Sequence, residues 1–182
     1  MRKSLVLLSL FIVCSVSAQT EHLKFMGIPL DGRIESFQTQ LERKGFKLIP
    51  HNSAYPVNTR AFEGIFSGER SNVYVWYNPR THIVYRAKAM LTRESKELIG
   101  QLLDIMESKL LLKYGEDHLV SLPFKDDFGH EFTQYSRFLE SGSIDLFVNS
   151  TGYSSQNTFF LHVDYKDKEN SRKNTQDEMD DL

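Results

Sequence analysis

The densest run of side chains able to do acid–base or metal chemistry lies between Gly115 and Glu131. It holds Glu116, Asp117, His118, Asp126, Asp127, His130 and Glu131. Carboxylate oxygens and imidazole nitrogens are common ligands of divalent metals, and a pair of carboxylates flanking a cleft is what glycoside hydrolysis requires. The spacing follows no established ligand framework, and a solvated loop has the same composition, so no metal and no cofactor is assigned. The chain contains no Gly-x-Ser-x-Gly elbow, no Gly-rich phosphate loop, no His-Glu-x-x-His zinc helix and no EF-hand loop. His22, His51 and His82 stand near a terminus or turns and suggest no chemistry.

A second set of residues is defined by strand alternation. Val73, Val75 and Tyr77, with Ile144, Leu146 and Val148 and with Phe159, Leu161 and Val163, form a mostly aliphatic parity that must meet helices. The opposite parity holds Tyr74, Trp76, Arg86, Lys88, Tyr135, Arg137, Phe147, Phe160 and His162. Tyr, Trp and Arg combine a large contact area with a polar handle and are enriched where proteins hold partners. These nine residues are the candidate binding face. Packing against a dimer partner is the structural alternative for the same face.

The elements that position both sets follow from local signals. Asp31 is an N-cap type, Ile34, Phe37 and Leu41 follow at helical spacing, and Gly45 ends the helix with Phe46 folding back on Leu41. Strand patterns occupy 62–66, 73–77 and 83–90. Thr92 caps a helix over about 93–113, with a stripe of Leu98, Leu102, Ile105, Met106 and Leu110. Further strand patterns cover 132–139, 144–149 and 158–165. The reading is an α+β domain over 19–165, with two helices on one face of a mainly antiparallel sheet. Gly45 and Gly115, like Phe62 and Phe132, are 70 positions apart. That offset suggests a duplicated helix-plus-three-strand unit, although residue identities do not repeat.

The chain has 182 residues, 40% of them hydrophobic, and a net charge of −2. With no basic excess, nucleic acid is not an expected partner. Residues 1–18 read as a secretory signal peptide, with Arg2 and Lys3 ahead of an apolar run and Val16-Ser17-Ala18 as the cut site. The single cysteine, Cys14, lies in this leader behind the β-branched Val13, which disfavours lipoprotein processing. A soluble periplasmic or extracellular product without disulfides is expected, and no further run approaches membrane-spanning length. The segment 166–182, with four basic and six acidic residues, is expected to be disordered.

The run His22-Leu23-Lys24-Phe25-Met26-Gly27-Ile28-Pro29-Leu30-Asp31-Gly32, followed by Phe37, Leu41, Gly45-Phe46 and Phe62 to Gly68, resembles small exported proteins of unassigned function from the Bacteroidota envelope. The resemblance is strongest over the first third of the mature chain and implies no catalytic residues. The doubled order of helix and strands is similar to the beta-lactamase-inhibitor-protein-like architecture, which implies an open sheet face used to hold other proteins. The expected function is an exported, non-enzymatic module binding a protein or envelope polymer, such as a polysaccharide. The alternative is a hydrolase of an envelope or dietary polymer using 116–131.

Overall fold

Alternation decides the architecture. In Glu69–Tyr77 (β5), Val73 and Val75 have no exposure, whereas Tyr74 and Trp76 between them are half-buried. Val84–Arg93 (β6) repeats this, with Ala87, Ala89 and Leu91 buried and Arg86, Lys88 and Met90 half-buried. A sheet of this kind rests one face on a core and leaves the other nearer to water. The structure is a computed structural model that describes residues 21–50, 56–127, 129–151 and 158–180. The signal peptide expected at 1–18, with Cys14, lies outside the described residues.

The large sheet holds eight antiparallel strands. One meander is Lys47–Ile49 (β3), Thr59–Phe66 (β4), β5 and β6; the other is Leu119–Lys125 (β7), Glu131–Leu139 (β8), Gly142–Thr151 (β9) and Thr158–Asp167 (β10). They join where β10 pairs with β6, from Phe159 opposite Arg93 to Lys166 opposite Arg86. The spatial order is β3-β4-β5-β6-β10-β9-β8-β7. Lys24–Phe25 (β1) and Ile28–Pro29 (β2) form a separate small hairpin. Helices Ile34–Arg43 (α1) and Lys96–Tyr114 (α2) cover the aliphatic face, and Lys168–Asp180 (α3) follows β10.

This corrects the expected pair of helices on a sheet of six strands. Among the described residues there are three helices and ten strands, and four strands of the large sheet, not three, follow each of α1 and α2. The additional strands at the sheet edges have physical reasons to escape a pattern search. β3 is three residues long, and β7 carries Pro123, which cannot donate to a ladder and is tolerated at an edge. The helix-plus-three-strand unit is therefore not the building block of this fold.

The helix ends differ in how well their signals read. Gly45, at φ 89°, lets the Phe46 N–H return to Leu41 O at 3.1 Å, with both side chains buried, as the sequence suggests. The start of α1 is shifted: Arg33, not Asp31, is the N-cap and makes no side-chain bond there. For α2 the cap is Ser95, whose hydroxyl accepts the Leu98 N–H at 3.2 Å, because β6 runs on through Thr92 to Arg93. The buried stripe of α2 is Ile99, Leu102, Leu103, Met106 and Leu110, while Leu98 and Ile105 face outward.

The segment expected to be disordered instead continues β10 and forms α3. Its anchors are polar rather than apolar. Asp167 accepts the Asn170 N–H at 2.9 Å as the cap of α3, and its other oxygen accepts the Leu23 N–H and lies 3.0 Å from His22 Nδ1. Asn170 Nδ2 donates to Leu30 O at 2.7 Å, and Asn78 Nδ2 donates to Asp177 at 2.7 Å. Hydrogen bonds of buried groups hold α3 where hydrophobic burial alone would not.

Candidate functional site

The second face of the sheet gathers seven of the nine expected residues. Opposed residues of antiparallel strands point the same way, so the pairs Tyr74 with Lys88, Trp76 with Arg86, Met90 with His162, and His162 with Phe147 form neighbouring rungs of one face, here called the row. Phe160 stands opposite Thr92 at the end of that row. The Tyr74 and Trp76 rings are 6.2 Å apart, Arg86 lies 4.4 Å over the Trp76 ring, and Lys88 Nζ is 5.4 Å from it. Such cation–π contacts contribute roughly 0.5–1 kcal/mol each when exposed and tie the indole to the neighbouring strand.

Two acids sit beneath these cations. Arg86 donates to both oxygens of Asp164, at 2.9 and 2.6 Å, and Lys166 reaches Asp145 at 2.9 Å and Asp164 at 3.6 Å. Asp164 is fully buried and stands opposite Asp145. The four charges form a structural network: a carboxylate with no exposure cannot touch a substrate. Lys88 has its pKa lowered, first by burial and then by Arg86 and Lys166, with Asp164 opposing.

Two candidates lie on the other face. Tyr135 is opposite Leu146 and Arg137 opposite Ile144, both on the aliphatic side. Arg137 is buried there and donates through Nη2 to the Tyr114 carbonyl, capping the end of α2, where the helix dipole favours a cation. Its Nε and Nη1 have no partner among the described residues. Tyr135 has its pKa raised by burial, then by Glu107 of α2. Neither belongs to the candidate face.

His162 keeps its expected side but not its expected exposure. It is 5% exposed, stacked on Phe147 at 4.6 Å, with Nε2 2.9 Å from Asn149 Oδ1. Burial, then the nearby Lys88 and Arg86, push its pKa down to about 3, so the ring is neutral at pH 7. It supports the face rather than presenting a contact.

The acidic segment does not assemble. Glu116, Asp117 and His118 precede β7 and Asp126 to Glu131 follow its seven residues, a span of roughly 23 Å. Asp126 is buried in a turn, accepting from the His130 N–H at 2.8 Å and from Ser150 Oγ at 2.6 Å. Ser150 and Asp126 both meet the His130 ring at Nδ1, whereas a nucleophile relay needs them on opposite nitrogens. Among the described residues no group of three His, Cys, Asp or Glu is arranged to hold a metal ion.

The structure adds a groove that the sequence reading missed. About 850 Å³ in volume, it runs over the second face at the ends of β4, β5 and β6, with Glu63, Arg70, Asn72, Met90 and Thr92 along it. These residues continue the parity of Tyr74 and Lys88. The available signal was the alternation itself, carried upstream of Val73 through polar residues. Comparison with known protein families, characterised proteins and solved structures finds no match to this chain.

Proposed function

We propose that this chain is a non-catalytic recognition module that holds a protein or a cell-envelope polymer on the second face of its sheet. One observation carries the reading: Tyr74, Trp76, Arg86, Lys88, Phe147 and Phe160 form a half-exposed surface across four strands, running into a groove of about 850 Å³. The Tyr74 and Trp76 rings are held by cross-strand Lys88 and Arg86, and Phe147 by stacking on His162, so little ordering cost remains for binding there. The polar groove beside them suits an extended partner. Export belongs to the same proposal and rests on the leader pattern of residues 1–18.

The test pairs capture with titration. Wild type and the Tyr74→Ala/Trp76→Ala variant are each used to capture protein and polysaccharide from envelope extract, and the captured species is then titrated directly. The expected result is binding weakened at least roughly thirtyfold in the variant, since the loss of even one of its two aromatic anchors is worth about 2 kcal/mol. Equal affinity for wild type and variant removes the face from the proposal.

A further inference from the structure

The strands of the second face carry more positive charge than their own acids meet. Asp145 and Asp164 are already engaged by Lys166 and Arg86. Lys47 stands opposite Glu63, and Arg93 closes on Glu69 at 2.7 Å beside the groove. Arg70, exposed, and Lys88, half-buried against the Tyr74 and Trp76 rings, have no ion-pair partner among the described residues. In a chain of net charge −2 this is a local reversal of sign. Neighbouring groups respond to the same field. Burial first, then Arg86 and Lys166 against the pull of Asp164, lower the pKa of Lys88; burial first, then Lys88 and Arg86, lower that of His162. An anion seated here would relieve that repulsion.

The shape of the site restricts which anion. Arg70, Asn72, Tyr74 and Trp76 follow one another along one side of β5, and Lys88 faces Tyr74. The two free cations are therefore separated by about 13 Å along the strand, with the Asn72 amide, both donor and acceptor, between them. Among the described residues lining the groove only Ile65 and Met90 carry apolar side chains, and at Gly45, Gly64 and Gly68 bare backbone borders it. A protein partner anchors itself in desolvated apolar pockets; a hydroxyl-rich chain instead finds amide, hydroxyl and backbone groups to pair with. Tyr74 and Trp76 add flat apolar area against which the C–H side of a sugar ring can lie. Cations about 13 Å apart also suit a polymer charged at intervals, not a nucleic-acid strand with a phosphate every ~3.4 Å.

We propose that the occupant of this face is an anionic polysaccharide, its carboxylates meeting Arg70 and Lys88, its hydroxyls meeting Asn72 and Thr92, and a sugar ring lying on Tyr74 and Trp76. The inference rests on the recognition reading above and narrows it to one class of partner.

Trp76 is the single tryptophan of the chain, so its emission reads this site alone. The probes are hexamers of galacturonate and of mannuronate, titrated into the folded chain, with maltohexaose, polyglutamate and oligothymidylate as controls. At least one uronate hexamer is expected to saturate below about 1 mM and to bind more weakly as salt is raised. Each control is expected to bind at least about tenfold more weakly than that uronate. Arg70→Gln, an exposed change that leaves the melting temperature in place, is expected to weaken the uronate roughly tenfold. The proposal is overturned if neither uronate saturates below about 1 mM, if salt leaves its affinity unchanged, if a control binds at least as tightly, or if Arg70→Gln binds like wild type. None of those outcomes removes the recognition reading, which falls only if the species captured from envelope extract binds Tyr74→Ala/Trp76→Ala and wild type alike.

Discussion

Arg86 holds Asp164 through two parallel hydrogen bonds, at 2.9 and 2.6 Å, across the line where the two meanders meet. Asp164 is fully buried, so the pair locks the seam and the aromatic row at once. Arg86→Ala strands that carboxylate with only Lys166 at 3.6 Å. Removing one partner of such a pair costs about 2–4 kcal/mol once the partial exposure of Arg86 is allowed for. Chemical denaturation should show this loss, and Arg86→Lys, which cannot reproduce the bidentate geometry, should recover only part of it.

His162 gives stability an acid limb. Above the ordinary histidine pKa of 6.5, neither the folded nor the unfolded chain protonates the ring. Below it the unfolded chain takes up a proton that the folded chain refuses until about pH 3, so stability falls across that window as pH drops. The contribution reaches at most about 3 kcal/mol by pH 4. His162→Phe retains a ring against Phe147 and should flatten the urea midpoint against pH between 6.5 and 4, relative to wild type.

Asp167 gathers three groups from two segments on one carboxylate: the Leu23 N–H and His22 from ahead of β1, and the Asn170 N–H from α3. Asp167→Ala leaves two buried N–H donors unsatisfied, at roughly 1–3 kcal/mol each. The expected outcome is faster amide exchange throughout α3 and around Leu23, with the β5–β6 ladder protected as before.

Two glycines should respond with opposite signs. A Cβ at Gly142, at φ 155°, would lie 2.0 Å from the Lys166 carbonyl oxygen, a clash with backbone that no rotamer relieves. Gly142→Ala should cost more than about 4 kcal/mol. Gly100 lies inside α2 with nothing within 4 Å of its would-be Cβ. Gly100→Ala should stabilise by about 0.5–1 kcal/mol, read as a higher melting temperature.

The sequence was most legible where one residue type does one job. Gly45 with Phe46 and Leu41 marks the end of α1, and the alternation of β5, β6, β9 and β10 sorts aliphatic from aromatic sides. It misled where polarity was taken as a sign of exposure. Arg137 and Tyr135 point inward because the end of α2 offers a carbonyl and Glu107 to meet them. The buried residues of α3 are Asn170 and Asn174, so the helix shows no apolar stripe to read. Leu98 and Ile105 share the helical spacing of a core stripe yet face outward, because α2 is apolar on more than one side. The far-edge strand β7 went unread because its pairing depends on β8, not on its own composition.

The joining of β6 to β10 also sets the order in which the chain can fold. Within each meander, every strand of the large sheet pairs with its neighbour in sequence, so each can zip from its own turns. The seam pairs residues sixty-six to eighty positions apart, from Phe159 with Arg93 to Lys166 with Arg86. Closing that loop is the slow, entropically expensive step. Until Thr158–Asp167 has been made, β6 remains a bare edge and α2 lacks part of the wall formed by Leu161 and Val163. Completion of this sheet therefore waits for β10 to be synthesised, and the step that joins the two meanders belongs to that strand.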